Sequence, residues 1–217
     1  MATIRLFVFD LDGTLVDSRR DIAESANAVL AECGYPPHTE DAIAGMVGDG
    51  AALLIARAFA AAGAPAPDDA LARFLRVYDA RLLQHTRAYD GVHGLLDALR
   101  DRATLAVLTN KPLGATRTIL EGLRLDAYFE ERVLGGDGPQ PRKPDPSGLL
   151  RLIAEADVTP GETMMVGDSS IDFRTARAAG TPVCLARYGF GLHDVDLTAL
   201  AATDLVIDEP LQLLRSL

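Results

Sequence analysis

In "RLFVFDLDGTLVDS" (5–18), Asp10 and Asp12 stand one residue apart, directly after an apolar run. In an extended chain, residues i and i+2 point to the same side. The two carboxylates are therefore expected on one face, with Leu11 turned to the core. Farther along lie Thr109 and Asn110 in "LTNKP", Lys143 in "PRKPDP", and Asp168, Ser169 and Asp172 in "GDSSID". Asp10, Asp12 and Asp168 brought to one point would repel one another unless a cation sat between them. Oxygen-only donors select a hard ion, and a partly hydrated site suits Mg2+. Lys143 adds positive charge, and Thr109, Asn110 and Thr14 add polar groups. Gly13 lets the main chain turn closely around an anion and present its N–H groups. The anion that matches Mg2+, an ammonium, hydroxyls and main-chain donors together is a phosphate.

These residues must be delivered to one place by regular elements. The runs "IRLFVFD", "TLAVLTN", "RVLGG", "TMMVGD", "PVCLAR" and "DLVID" are nearly continuously apolar, as buried parallel strands are. Helical patterns separate the later ones: "LGATRTILEGL", "PSGLLRLIAEA" and "DFRTARAAG". Strand alternating with helix predicts an α/β fold, a doubly wound, Rossmann-like parallel sheet. Ligands bind such sheets beyond the carboxyl ends of the strands, where the acids, Thr109 and Lys143 fall.

One interval breaks the alternation. From Asp17 to about Tyr89 the pattern is helical, in "DSRRDIAESANAVLAECG", "AALLIARAFAAAG" and "DDALARFLRVYDARLLQH". Ser18 and Asp21 are spaced as a capping box, and Gly34 is a natural stop. The expected organisation is a catalytic core formed by 1–16 and 90–217, with an all-helical cap at 17–89. Gly48 to Leu54 is expected as a cap loop facing the site. Arg19 and Arg20, in the first cap turn, are candidates for binding a second anionic group on a substrate.

The 217 residues are 48% hydrophobic and 24% charged, a soluble globular profile, with net charge −10. That charge excludes a nucleic-acid binder, which needs clustered Lys and Arg. No stretch reaches about 18 apolar residues and no signal pattern opens the chain, so no membrane partner and a cytoplasmic location are expected. Cys33 and Cys184, far apart, are expected as ordinary buried thiols. His38 and His85 receive no role, and the assembly is expected to be a monomer or homodimer.

"DLDGTLVDS", "LTNKP", "RKPDP" and "GDSSID", in that order across nearly the whole chain, resemble the four motifs of the haloacid dehalogenase-like phosphatases. The helical insert resembles that family's cap. "DSRRDIAESANAVLAECGYPP", "GGDGPQPRKPDP" and "YGFG" resemble the bacterial phosphoglycolate phosphatase branch, which often has Pro where Arg20 and Asp90 stand. The resemblance implies that Asp10 attacks phosphorus and that Asp12 acts as acid and base. It implies a Mg2+ site made by Asp10, the main-chain carbonyl of Asp12, and Asp168. Asp172, beside Ser169, would orient Lys143 or a metal-bound water, while Thr109 and Lys143 hold the phosphoryl oxygens. The implied substrate is a small phosphorylated metabolite, 2-phosphoglycolate first, with phosphosugar phosphatase or mutase and pyrophosphatase activities as alternatives. An aspartyl-phosphate receiver module is disfavoured. Receivers are shorter, and the acid at Asp12 would make a phospho-enzyme too labile to store a signal.

Overall fold

Leu6, Phe7, Val8 and Phe9 are all buried and form β1 (Leu6–Phe9) of a computed structural model that describes residues 3–192 and 195–217. Next come β2 (Val16–Asp17), α1 (Arg19–Glu32), α2 (Glu40–Ala44), α3 (Ala51–Ala61), α4 (Ala70–Asp79) and β3 (Arg87–Ala88). The chain then alternates through α5 (Val92–Arg100), β4 (Thr104–Leu108), α6 (Leu113–Gly122), α7 (Asp126–Phe129) and β5 (Val133–Leu134). It ends with α8 (Ser147–Glu155), β6 (Thr163–Gly167), α9 (Ser170–Ala179), β7 (Val183–Ala186), β8 (Leu205–Ile207) and α10 (Gln212–Ser216).

Six strands form one sheet in the order β5-β4-β1-β6-β7-β8, every pair parallel. The period of two in each strand feeds two separate cores. Phe7, Phe9, Val107 and Val166 pack on one face with α5 and α6, while Leu6, Val8, Leu108 and Met165 pack on the other with α8 and α9. This is the doubly wound α/β fold expected from the alternation. The chain moves from β1 to β4 and β5, then returns to β6 on the other side of β1. That reversal opens a crevice beyond the end of β1. Phe9 lies level with Val107 and Val166, so Asp10 emerges beside the ends of β4 and β6.

Helices α1 to α4 occupy the interval expected as the insert, with two additions. Val16 and Asp17 pair antiparallel with Ala88 and Arg87, so entry and exit run side by side. Two residues of pairing are too few to leave a periodic signal. The short α2 is capped by Thr39, whose hydroxyl accepts from Ala42 N at 3.2 Å. Gly34 follows α1 at φ +81°, as a stop residue should.

The capping box expected at Ser18 and Asp21 does not form. Ser18 Oγ donates instead to Asp12 Oδ1 at 2.6 Å. The buried Asp21 carboxylate accepts from the main-chain N–H of His85 and of Thr86 and from Thr86 Oγ1, at 2.8 to 3.1 Å. A buried carboxylate needs several donors, and the segment just before β3 supplies more than the first turn of α1 can. Cys184 is buried in β7, whereas Cys33 is only half-buried. Among the described residues, no helix is long and apolar enough to cross a membrane.

Candidate active site

Asp10 leaves the central strand with its N–H bonded to Val166 O at 2.8 Å. Its Oδ1 accepts from Leu11 N at 2.7 Å and lies 2.9 Å from Lys143 Nζ. Lys143 is buried and also donates to Asp172 Oδ1 at 2.7 Å. Burial pulls down the pKa of this ammonium, but the two carboxylates outweigh it and hold the group charged, above its ordinary value. Asp172 Oδ2 in turn accepts from Ser169 N and Oγ at 3.1 and 2.6 Å, and Ser169 Oγ caps α9. Both Asp172 oxygens are thus engaged, and what they fix is the ammonium beside Asp10.

Carboxylate oxygens of Asp10, Asp168 and Asp172 lie within 4.8 Å of one another, all three residues buried. Asp172 joins Asp10 and Asp168 in this cluster, while Asp12 faces the same cavity from the turn that follows Asp10. After Asp10 the backbone leaves the extended path. Thr14, Leu15 and Val16 N–H groups all turn back to Leu11 O, at 2.9 to 3.2 Å. Leu11 is fully buried as expected, but the Asp12 carboxylate swings to its own partners. Its Oδ1 accepts from Ser18, and both oxygens accept from Lys111 Nζ at 3.0 and 2.9 Å.

Three buried carboxylates facing the single ammonium of Lys143 carry excess negative charge. Burial, then Asp172 and Asp10, raises the Asp168 carboxyl well above the usual carboxylate range. Burial likewise lifts Asp10 to about 6, against the opposing pull of Lys143. Among the described residues, Asp168 Oδ2 accepts only main-chain N–H groups, from Phe190 and Gly191 at 2.8 and 2.9 Å. A hard divalent cation fits this all-oxygen, charge-excess donor set. Gly13, at φ +83°, permits the close approach: a Cβ there would stand 2.0 Å from Asp168 Oδ2.

Thr109 is buried on the cavity wall, with its Oγ1 accepting from Lys111 N at 3.3 Å. The Asn110 side chain, expected to meet phosphate, is spent inside the protein. Its amide donates to Gly48 O and Lys143 O, and its oxygen accepts from Lys143 N, each at 2.9 Å. It clamps the Lys143 backbone to the insert, leaving its main-chain N–H as the group that can serve a ligand. Thr14 is buried, and its Oγ1 has no hydrogen-bond partner among the described residues.

Gly48, Gly50, Ala51 and Leu54 line the cavity with Asp10 and Asp12 as expected, but the loop ends at Gly50, and Ala51 to Leu54 form the first turn of α3. Arg20 does not. The face of α1 that carries Ile22, Ser25, Ala26 and Val29 is buried, and Arg20 lies off it, exposed and paired to Glu24 at 2.8 Å. Arg19 pairs with Asp17 at 2.7 Å and lies over the Phe190 ring at 5.9 Å.

Sequence reasoning passed over Lys111 and Tyr78. Lys111 is buried against Asp12, with its ammonium 4.6 Å from the centre of the Tyr78 ring on α4. The signal for Lys111 was its place in "LTNKP"; for Tyr78 there was none, because an aromatic at helical spacing reads as core.

A family model described as haloacid dehalogenase-like hydrolase matches residues 7–186. A phosphoglycolate phosphatase of Rhodospirillum rubrum is 45% identical over 91% of this chain and 86% of its own length. One from Pseudomonas putida is 38% identical over 94% of this chain and 76% of its own. A crystal structure of a predicted phosphoglycolate phosphatase from Haemophilus somnus superposes with a TM-score of 0.89 at 31% identity, covering 100% of this chain and 99% of that one.

Proposed function

Because this chain belongs to the haloacid dehalogenase-like hydrolases, we propose that it is a Mg2+-dependent phosphomonoesterase that forms an aspartyl-phosphate on Asp10 and takes 2-phosphoglycolate as substrate. The observation that carries this reading is Asp10 itself. It stands at the end of the central strand, 2.9 Å from Lys143 and within a buried acidic cluster, with Asp12 next along the turn. The two bacterial relatives named phosphoglycolate phosphatase support the choice of substrate.

A carboxylate oxygen of Asp10 attacks phosphorus while the ester oxygen departs with the bonding pair. Asp12 gives that oxygen a proton, then takes one from the water that opens the aspartyl-phosphate. Such acid–base help is worth about 10²–10⁴-fold. Lys143, fixed by Asp172, and the Thr109 hydroxyl hold phosphoryl oxygens. Asp10, the Asp12 carbonyl and Asp168 would hold Mg2+, which supplies neutralisation of the charge gathering on the transferring group. Residues 17–89 are assigned as a cap over a core of 1–16 and 90–217. Leu54, Phe74 and Tyr78 of the cap wall the cavity and keep water from the reacting centre.

The test is a screen of phosphate esters with Mg2+, with and without chelator. Metal-dependent release of phosphate, ranked highest for 2-phosphoglycolate, is expected. A higher ranking for sugar phosphates or pyrophosphate would refute the substrate, and absence of hydrolysis would refute the reaction.

A further inference from the structure

The hydrolytic steps above use one buried ammonium, Lys143, and leave another unexplained. Among the described residues lining the cavity, Lys111 alone carries positive charge, and much of the remaining wall is apolar, including Ile22, Leu54, Phe74, Leu75 and Ala115. Burying an ammonium in such a wall is costly unless something repays it. Asp12 does so in part, yet Asp12 is also the group that must meet the leaving oxygen. The opposite partner is the Tyr78 ring, a cation–π contact at 4.6 Å that ties the ammonium to the cap. Tyr78 is itself 3% exposed, and its hydroxyl lies near the Lys111 ammonium without a hydrogen bond of good geometry to any described residue.

An ammonium and an unspent hydroxyl thus stand together on the leaving-group side of Asp12. We propose that Lys111 and the Tyr78 hydroxyl receive a carboxylate carried by the leaving group of the substrate. In 2-phosphoglycolate one methylene separates the ester oxygen from the carboxyl carbon. With the ester oxygen at Asp12, the carboxylate falls next to the ammonium that already touches Asp12 at 2.9 Å. A neutral leaving group would strand the Tyr78 hydroxyl. Sites built to pair a polar group reject analogues that lack it more strongly than apolar pockets reject a size change. The proposal rests on the phosphomonoesterase reading and explains its selectivity, a task that Arg20 is too remote to perform.

The experiment compares kcat/KM for 2-phosphoglycolate with kcat/KM for ethyl phosphate, in which a methyl group replaces the carboxylate. Any general loss from disturbing Asp12 affects both substrates and cancels in the ratio. Lys111→Met should lower the ratio on the order of 10- to 100-fold, the worth of a charge-assisted contact. Lys111→Arg should keep most of the preference, and Tyr78→Phe, which preserves the ring and its packing, should lower it severalfold. An unchanged ratio in Lys111→Met overturns the proposal while leaving the phosphomonoesterase reading intact. A wild-type protein that hydrolyses both esters equally well does the same. Calorimetry on Asp10→Asn, with and without Lys111→Met, gives a readout free of turnover. Weaker binding of 2-phosphoglycolate but not of ethyl phosphate is expected, and equal binding overturns the proposal. If no ester is hydrolysed, the phosphomonoesterase reading fails and the calorimetry still decides the role of Lys111.

Discussion

Gly13→Ala isolates the contact that places Asp168. The added Cβ would meet Asp168 Oδ2 at 2.0 Å and Cγ at 2.5 Å. To regain an ordinary contact of 3.4 Å, the carboxylate must retreat by about 1.4 Å. That retreat stretches the bonds from Phe190 N and Gly191 N, now 2.8 and 2.9 Å. A misplacement of about 1 Å at a reacting centre costs roughly 10²-fold in rate. The backbone itself adds about 1–2 kcal/mol for a side chain in the left-handed region. Gly34→Ala is the matched control, since Gly34 has φ +81° and a Cβ added there would meet nothing within 4 Å. Both variants should lose Tm, by about 2–4 °C per kcal/mol for a chain of this size. Only Gly13→Ala should lose kcat/KM, about 100-fold, and need more Mg2+ for half-maximal rate. The assay is phosphate release against Mg2+ concentration, beside thermal melts of both proteins. Wild-type kcat/KM and metal dependence in folded Gly13→Ala would refute the reasoning.

Asp21→Asn should remove about 2 kcal/mol of stability, because an amide nitrogen would face donors at His85 and Thr86. Its Tm should fall by about 4–8 °C; a melt within about 1 °C of wild type would show that these bonds do not carry that stability. Arg20→Ala should change kcat and KM less than about twofold, as exposed ion pairs contribute little. A tenfold rise in KM, on the order of 1.4 kcal/mol, would return Arg20 to the substrate site. Dialysis against EDTA should stop hydrolysis, Mg2+ should restore it, and Ca2+, which takes more ligands at longer distances, should do so poorly. Full activity after chelation would overturn the metal assignment.

The framework of the site was readable because it hangs on burial. Leu6–Phe9 had to be a central strand, and its end had to deliver Asp10 beside Thr109 and Asp168. The contact of Asp172 with Lys143 was expected only from the family resemblance, because its geometry depends on α9 starting at Ser170. One misreading came from applying a local rule where tertiary partners decide. The i, i+2 rule put Asp10 and Asp12 on one cavity, but it carries no information on Lys111, the partner that Asp12 takes there. The capping rule at Ser18 and Asp21 lost to donors 64 and 65 residues away. Arg20 was misplaced although its helix phase was legible: Ile22, Ser25, Ala26 and Val29 mark the buried face, and Arg20 is off it. Lys111 and Asp12 lie 99 residues apart, and only the fold brings Tyr78 of α4 to them.

The claim on which the account turns is that Asp10 carries the phosphoryl group. Asp12→Asn, which slows loss of that group, should be mixed with 32P-labelled substrate and Mg2+ and quenched, one aliquot being counted for protein-bound label and another reduced with borohydride, which releases the phosphate. Reduction of an acyl phosphate turns the aspartate into homoserine, so peptide sequencing by mass spectrometry reads the site directly. The account predicts homoserine at position 10 alone, and no label in Asp10→Asn. Label on Asp168 or on a histidine, or turnover by Asp10→Asn at the wild-type rate, would contradict it.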